Sequence, residues 1–170
     1  MCKTVVITDT SVLINFLVLD WAGLLAGVPT HRFVVTDHVR AEITAHYHEQ
    51  LQRLELAFTA QILEEITVTD LAEVQPFADL TAKGLGIGEC SAIAVAVHRQ
   101  FTLAIDDKRA IKKVASLGLK VPILTTESLM VLLIQHGALS VDEADAIKLD
   151  WEKNHRFRLP FGSFSERLGP

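Results

Sequence analysis

With 170 residues, 49% of them hydrophobic, and a mean hydropathy of +0.30, the chain excludes extended disorder and fits one domain with a sizeable core. Its formal charge of −5 excludes a broad electrostatic grip on nucleic acid, but it is compatible with a local basic rim around an acidic centre. Cys2 and Cys90, the 2 cysteines of the chain, form neither a disulfide framework nor a zinc pattern, so both read as free thiols in a reducing cytoplasm.

Thr4–Thr8 is a β-branched run suited to a buried strand, and it stops on Asp9. Val12, Leu13, Phe16, Leu17, Trp21, Leu24 and Leu25 then recur at helical spacing, which predicts one helix up to the break at Gly27-Val28-Pro29. Asn15 and Asp20 interrupt this apolar run and no basic leader precedes it, so it reads as a core helix rather than a membrane span. Asp9, Thr10 and Ser11 therefore sit at a strand-to-helix turn. Asp and Ser cap helices there, and open parallel sheets bind ligands there.

Arg32–Thr36 predicts a second strand. A helix opening at Asp37 follows, with Val39, Ile43 and Tyr47 on one face and Glu42 inside it. Leu51, Leu54, Phe58 and Ile62 continue the helical spacing, and Ile62–Thr69 holds a third strand. Asp70 is placed to cap a helix from Leu71 to Ala82 that contains Pro76. Lys83–Glu89 is glycine-rich but lacks a Gly-Lys-Ser/Thr ending and a complete dinucleotide fingerprint, so it reads as the entry to the next helix. That helix turns Cys90, Ile93, Ala94 and Val97 inward and carries Glu89 in its first turn.

Phe101–Ile105 is the fourth strand and again ends on acid, Asp106-Asp107. The helix after it stops at Gly118, and Pro122 puts the short strand Val121–Leu124 at a sheet edge. Thr126 to about His136 is helical, and Ser140-Val141-Asp142-Glu143 is a capping box for a last helix to about Lys153. The alternation predicts one α/β domain over residues 1–153, with a parallel sheet flanked by helices. The tail, residues 154–170, mixes Arg156, Arg158 and Arg167 with Phe157, Phe161 and Phe164 and reads as a protein contact.

Two strands end in aspartate, while Glu42 and Glu89 lie near helix starts on the same side of such a sheet. Asp9, Glu42, Glu89 and Asp106 or Asp107 can thus converge, and their repulsion calls for a divalent cation. Oxygen-only ligands point to Mg²⁺ or Mn²⁺ rather than zinc. Singly, each acid is equally well a helix cap or a solvated residue; the joint pattern carries the chemistry. Arg99, Lys108, Arg109, Lys112 and Lys113 lie close in sequence to the fourth-strand acids and are candidates for contacting phosphates.

These segments resemble the PIN-domain family: Val5-Val-Ile-Thr-Asp9-Thr-Ser-Val-Leu-Ile-Asn15, Val39-Arg-Ala-Glu42-Ile, Gly88-Glu89-Cys-Ser-Ala-Ile-Ala and Leu103-Ala-Ile-Asp106-Asp107-Lys-Arg-Ala, in the family's order from Val5 to about Leu139. The resemblance implies a three-layer α/β/α sandwich whose five-stranded parallel sheet runs 3-2-1-4-5. It also implies metal-dependent RNA cleavage, a homodimer and, as in many bacterial and archaeal members, the toxin of a VapC-type pair with a protein antitoxin. Asp9, Glu42, Glu89 and Asp107 would be the acidic quartet, Asp106 a substitute on the fourth strand, and Ser11 the support of Asp9. Thr126 stands where relatives with an Asp-Asp pair carry Gly-Thr, with Thr125 replacing the glycine. The expected function is a Mg²⁺- or Mn²⁺-dependent endoribonuclease. Its rivals are a metal-dependent phosphohydrolase, a signalling receiver module and a catalytically silent PIN-like binding module. Ser11, where aspartyl-phosphate hydrolases place a second Asp, speaks against the first, and the late position of the acidic pair against the second.

Overall fold

The structure is a computed structural model that describes residues 3–20 and 22–169; Cys2 and Trp21 lie outside them. Its strands are β1 (Thr4–Thr8), β2 (His31–Thr36), β3 (Leu63–Ile66), β4 (Thr102–Ala104) and β5 (Ile123–Leu124). They form one sheet in the order β3-β2-β1-β4-β5, parallel throughout, as the resemblance implies. The helices are α1 (Thr10–Leu17), α2 (Asp37–His46), α3 (His48–Thr59), α4 (Leu71–Ala82), α5 (Ile87–Arg99), α6 (Lys108–Ser116), α7 (Thr126–Gln135) and α8 (Val141–Asn154).

Both faces of the sheet are covered, because successive strand residues point to opposite sides. On one side Val6 and Val35 join Leu13, Phe16, Met130 and Trp151 in a buried cluster. On the other, Ile7 and Val34 join Ile93, Leu103 and Val114. β1 is central, pairing Ile7 with both Val34 and Leu103, so its carboxyl end lies between those of β2 and β4. Among the described residues no helix is long and apolar enough to cross a membrane.

The long first helix expected from the apolar spacing is instead two pieces. α1 stops at Leu17, Asp20 takes a left-handed conformation with φ of 58°, and a 3-10 turn runs from Ala22 to Gly27. The spacing misleads because Leu25 still faces the core from that turn, at 1% exposure. The last carbonyls of α1, which have no partner within the helix, are taken by distant side chains. Arg53 Nη1 donates to the carbonyls of Leu17 and Val18, both at 2.7 Å. Trp151 Nε1 donates to that of Asn15, also at 2.7 Å.

α4 begins at Leu71 behind its Asp70 cap and runs through Pro76. The third, fourth and fifth strands are shorter than the β-rich stretches that mark them. The aromatic side chains of the tail turn inward. Phe164 and Leu159 belong to the Trp151 cluster, and Phe157 meets Trp151 edge-on at 5.4 Å. Arg167 stacks over Phe161 at 4.6 Å.

Replacing Trp151 by Phe keeps most of the buried volume but leaves the Asn15 carbonyl without its donor. A loss of about 1–3 kcal/mol is expected for such an orphaned group, read as a lower urea midpoint with an unchanged slope.

Candidate active site

Asp9 follows β1 directly, caps α1, and is 2% exposed. Its Oδ2 accepts the Ser11 backbone N–H at 3.0 Å and the Ser11 hydroxyl at 2.7 Å. Its Oδ1 is equally buried and has no hydrogen-bond partner among the described residues. Ser11 Oγ in turn accepts the backbone N–H of Asp106 at 3.0 Å. One serine therefore joins the ends of β1 and β4.

The Asp106 carboxylate is fully engaged. Oδ1 accepts the Thr126 backbone N–H at 2.9 Å, while Oδ2 accepts the Thr126 hydroxyl at 2.5 Å and Asn15 Nδ2 at 3.1 Å. Asn15 Nδ2 is also within hydrogen-bonding distance of the Ser11 carbonyl (3.1 Å) and of Thr126 Oγ1 (3.0 Å). Thr126 thus holds Asp106 without needing a preceding glycine. Asp107 is occupied differently: its Oδ1 caps α6, accepting the N–H groups of Arg109 at 2.7 Å and Ala110 at 2.8 Å.

Glu42 and Glu89 come from α2 and α5, whose first turns are tied together in the interior. Ser91 donates its hydroxyl to the Gly88 carbonyl at 2.7 Å, so in its 2.7 Å contact with Thr36 it is the acceptor. Thr36 meanwhile caps α2 by accepting the Val39 N–H at 3.1 Å. Glu89 reaches back to the Gly86 N–H at 2.9 Å, as capping boxes do. Gly88 is where the two helices close on each other, since a Cβ there would collide with Glu42 Oε2.

Burial raises the Asp9 carboxyl above the usual carboxylate range. The Ser11 hydrogen bonds oppose the rise, and the charge of Glu42 adds to it. Asp106 is also raised, mainly by burial, against the donors from Thr126 and Asn15, with Glu127 adding to the rise. Glu89 is raised by burial first; the Gly86 N–H lowers it, Asp9 and Asp107 raise it, and Arg109 lowers it. Asp9, Glu42, Glu89 and Asp107 therefore share one strongly negative region. As the side chains stand, no three acidic, His or Cys groups among the described residues are close enough to hold one ion together. The unpartnered, buried Asp9 Oδ1 and the all-oxygen donor set nevertheless fit a hard divalent cation.

Of the basic candidates, Lys108 and Arg109 stand exposed at the start of α6, and Arg109 Nη2 bridges to the Gly84 carbonyl at 2.9 Å. Lys112 and Lys113 lie further along α6. Arg99 does not join them. It sits at the end of α5 opposite Glu89 and ahead of β4, and it grips the fully buried Glu73 through Nε at 2.5 Å and Nη2 at 3.0 Å. Nearness in sequence to a strand is not nearness to that strand's carboxyl end. Two residues not foreseen as site residues belong here: Asn15, and Glu127, which faces Asp106 and pairs with Arg167 at 3.1 Å. Asn15 did leave a signal, as a polar residue four positions after Ser11 on an otherwise apolar helix.

The sequence model of the PIN domain matches residues 5–165. The chain belongs to the PIN-domain family. The PIN fold is nuclease-like, and its members are generally nucleases that use divalent metals. Two solved structures share the fold. One is SSO1118, a PilT N-terminus domain protein from the archaeon Sulfolobus solfataricus, with 16% identity and a TM-score of 0.52 over 78% of this chain and 96% of that one. The other is PAE2754 from Pyrobaculum aerophilum, also at 16% identity and a TM-score of 0.52, over 80% and 91%. No curated protein matches the sequence.

Because the Asp9 carboxyl is raised by folding, the folded state holds that proton more tightly than the unfolded chain. Stability from this group therefore falls as pH rises from the ordinary carboxylate range through the raised value, and stays reduced above it. In EDTA, the melting temperature of Asp9→Asn relative to wild type should be highest at neutral pH. That difference should shrink on acidification, as thermal melts at stepped pH will show.

Proposed function

We propose that this PIN domain is a Mg²⁺- or Mn²⁺-dependent endoribonuclease that acts as the toxin of a toxin–antitoxin pair, working as a homodimer restrained by an antitoxin protein. The observation that carries the catalytic part is the buried Asp9 carboxylate with its unpartnered Oδ1, set in the shared field of Glu42, Glu89 and Asp107. These four acids would hold the cation, with Glu42 and Glu89 turning toward Asp9 to complete the set. Asp106 is proposed as their positioning residue, because its oxygens are already committed to Thr126 and Asn15 while its N–H fixes Ser11.

When bound, the cation supplies Lewis-acid chemistry, lowering the pKa of a water and offsetting charge on the phosphate. The protein's own part is to bind and orient. Ser11 immobilises one oxygen of Asp9 and leaves the other free of hydrogen bonds among the described residues, so it would be the one to meet the cation. Lys108 and Arg109, at the start of α6, would meet phosphates flanking the cut. The toxin role rests on the family resemblance, and a small DNA-binding protein encoded immediately upstream would support it. The spacing of the acids also suits a second reading, a catalytically silent PIN-like module.

A mixed, end-labelled RNA pool incubated with pure protein tests both readings. Cutting is expected with Mn²⁺ or Mg²⁺, none with EDTA, and none for Asp9→Asn. Inert wild-type protein that binds metal and melts normally would favour the silent module, and cleavage of phosphomonoesters alone would favour a phosphohydrolase. Gly88→Ala is the sharper variant. The clash falls on the flexible end of Glu42, so stability should stay within about 1 kcal/mol of wild type while RNA cleavage drops.

A further inference from the structure

Beside the acids the chain forms a groove of about 480 Å³ between α2 and the first turn of α5. His38, Ala41 and His46 line it from one face of α2, Gly86 and Ile87 line it from α5, and Glu42 belongs both to the groove and to the acidic region. Ile87 is 57% exposed, an aliphatic side chain left uncovered by the fold. The His38 ring is held in place by Asp37 Oδ1 at 2.9 Å from its Nδ1 and by the Phe77 ring at 5.0 Å. Among the described residues that line the groove there is no lysine or arginine.

We propose that this groove receives an unpaired nucleobase of the RNA, adjacent to the phosphate that is cut. The inference rests on the nuclease reading and names the part of the substrate that the site would recognise. The two flanks of the acids differ in charge. α6 offers Lys108 and Lys112 to phosphates, with Arg109 reaching from it to the Gly84 carbonyl, whereas the lining of the groove itself offers imidazole, aliphatic and glycine surface beside a carboxylate, which repels phosphate. A strand laid across Asp9 would therefore put its backbone on the α6 side and an uncharged ring in the groove. Single-stranded RNA is commonly read in this way, with splayed bases stacked on aromatic or His side chains. The groove is continuous with the acids through Glu42, so the occupant is a neighbour of the reacting phosphate rather than a remote segment.

The test uses labelled single-stranded oligoribonucleotides, intact or with one abasic nucleotide stepped along the strand. Binding is read by anisotropy in EDTA, and kcat/KM for cleavage is read in Mn²⁺. One abasic position next to the cut should weaken binding or kcat/KM by about 5-fold or more, the usual scale for one stacked base. Ile87→Ala, and Ala41→Trp as a plug at an exposed position, should weaken handling of the intact strand without affecting the strand that is abasic there. Melting curves check that both variants fold. If neither binding nor cleavage depends on any single base, or if both variants affect intact and abasic strands alike, the proposal fails and the groove is open to a protein segment instead. Base-dependent binding without any cleavage would keep the groove and sink the nuclease reading. Base-independent cleavage would do the reverse.

Discussion

The desolvation of one carboxylate governs this molecule. Asp9 sits where the central strand ends, shut off from water, and a buried carboxylate costs several kcal/mol unless donors replace its hydration. Ser11 supplies two donors to one oxygen and leaves the other bare. Much of the surrounding architecture holds Ser11 in that posture: the Asp106 N–H fixes its hydroxyl, Thr126 and Asn15 fix Asp106, and Trp151 fixes the backbone of Asn15. A destabilising feature is thus kept in place by a chain of satisfied ones, the usual signature of a site where stability is subordinate to chemistry.

The remaining acids are placed by packing. Thr36 and Ser91 share a buried hydrogen bond that fixes where α2 and α5 start, and Gly88 lets the Glu42 carboxylate lie against the α5 backbone. The aliphatic layers on either side of the sheet set the height of these helices over the strand ends. The aliphatic-rich, aromatic-poor composition therefore serves the site indirectly, as two stiff supports for a polar seam.

Much of this was legible in the sequence, and what was not has physical causes. The strands announced themselves by β-branched runs, Asp9 and Asp106-Asp107 by ending them, and α4 and α8 by their caps. Strand order came only from family resemblance, since local pattern is silent on which strands pair. The break after Leu17 was hidden because the 3-10 turn preserves the apolar spacing, while the donors that end α1 lie 36 and 136 residues downstream. Arg99, close in sequence to the fourth strand, lies away from the acids because sequence distance does not say which end of a sheet a helix terminus faces. Glu127 belongs to no motif of its own, and only its neighbour Thr126, matched by resemblance to the Asp-Asp pair, hints that it lies near Asp106. The tail's phenylalanines looked like interface residues, yet Phe164 is as buried as any residue of the core.

The reach from Asn15 to Trp151 also has a temporal side. A polypeptide leaves the ribosome from its first residue onward, so β1 and α1 emerge long before α8. During that interval the carbonyls at the end of α1 and the hydrophobic pocket under it have no lid, and the polar seam hanging from Asn15 is unsupported. Of the seam's supports the Trp151 donor is the last to be synthesised, so the polar network around Asp9 gains that bond to the Asn15 carbonyl only after its other members are made.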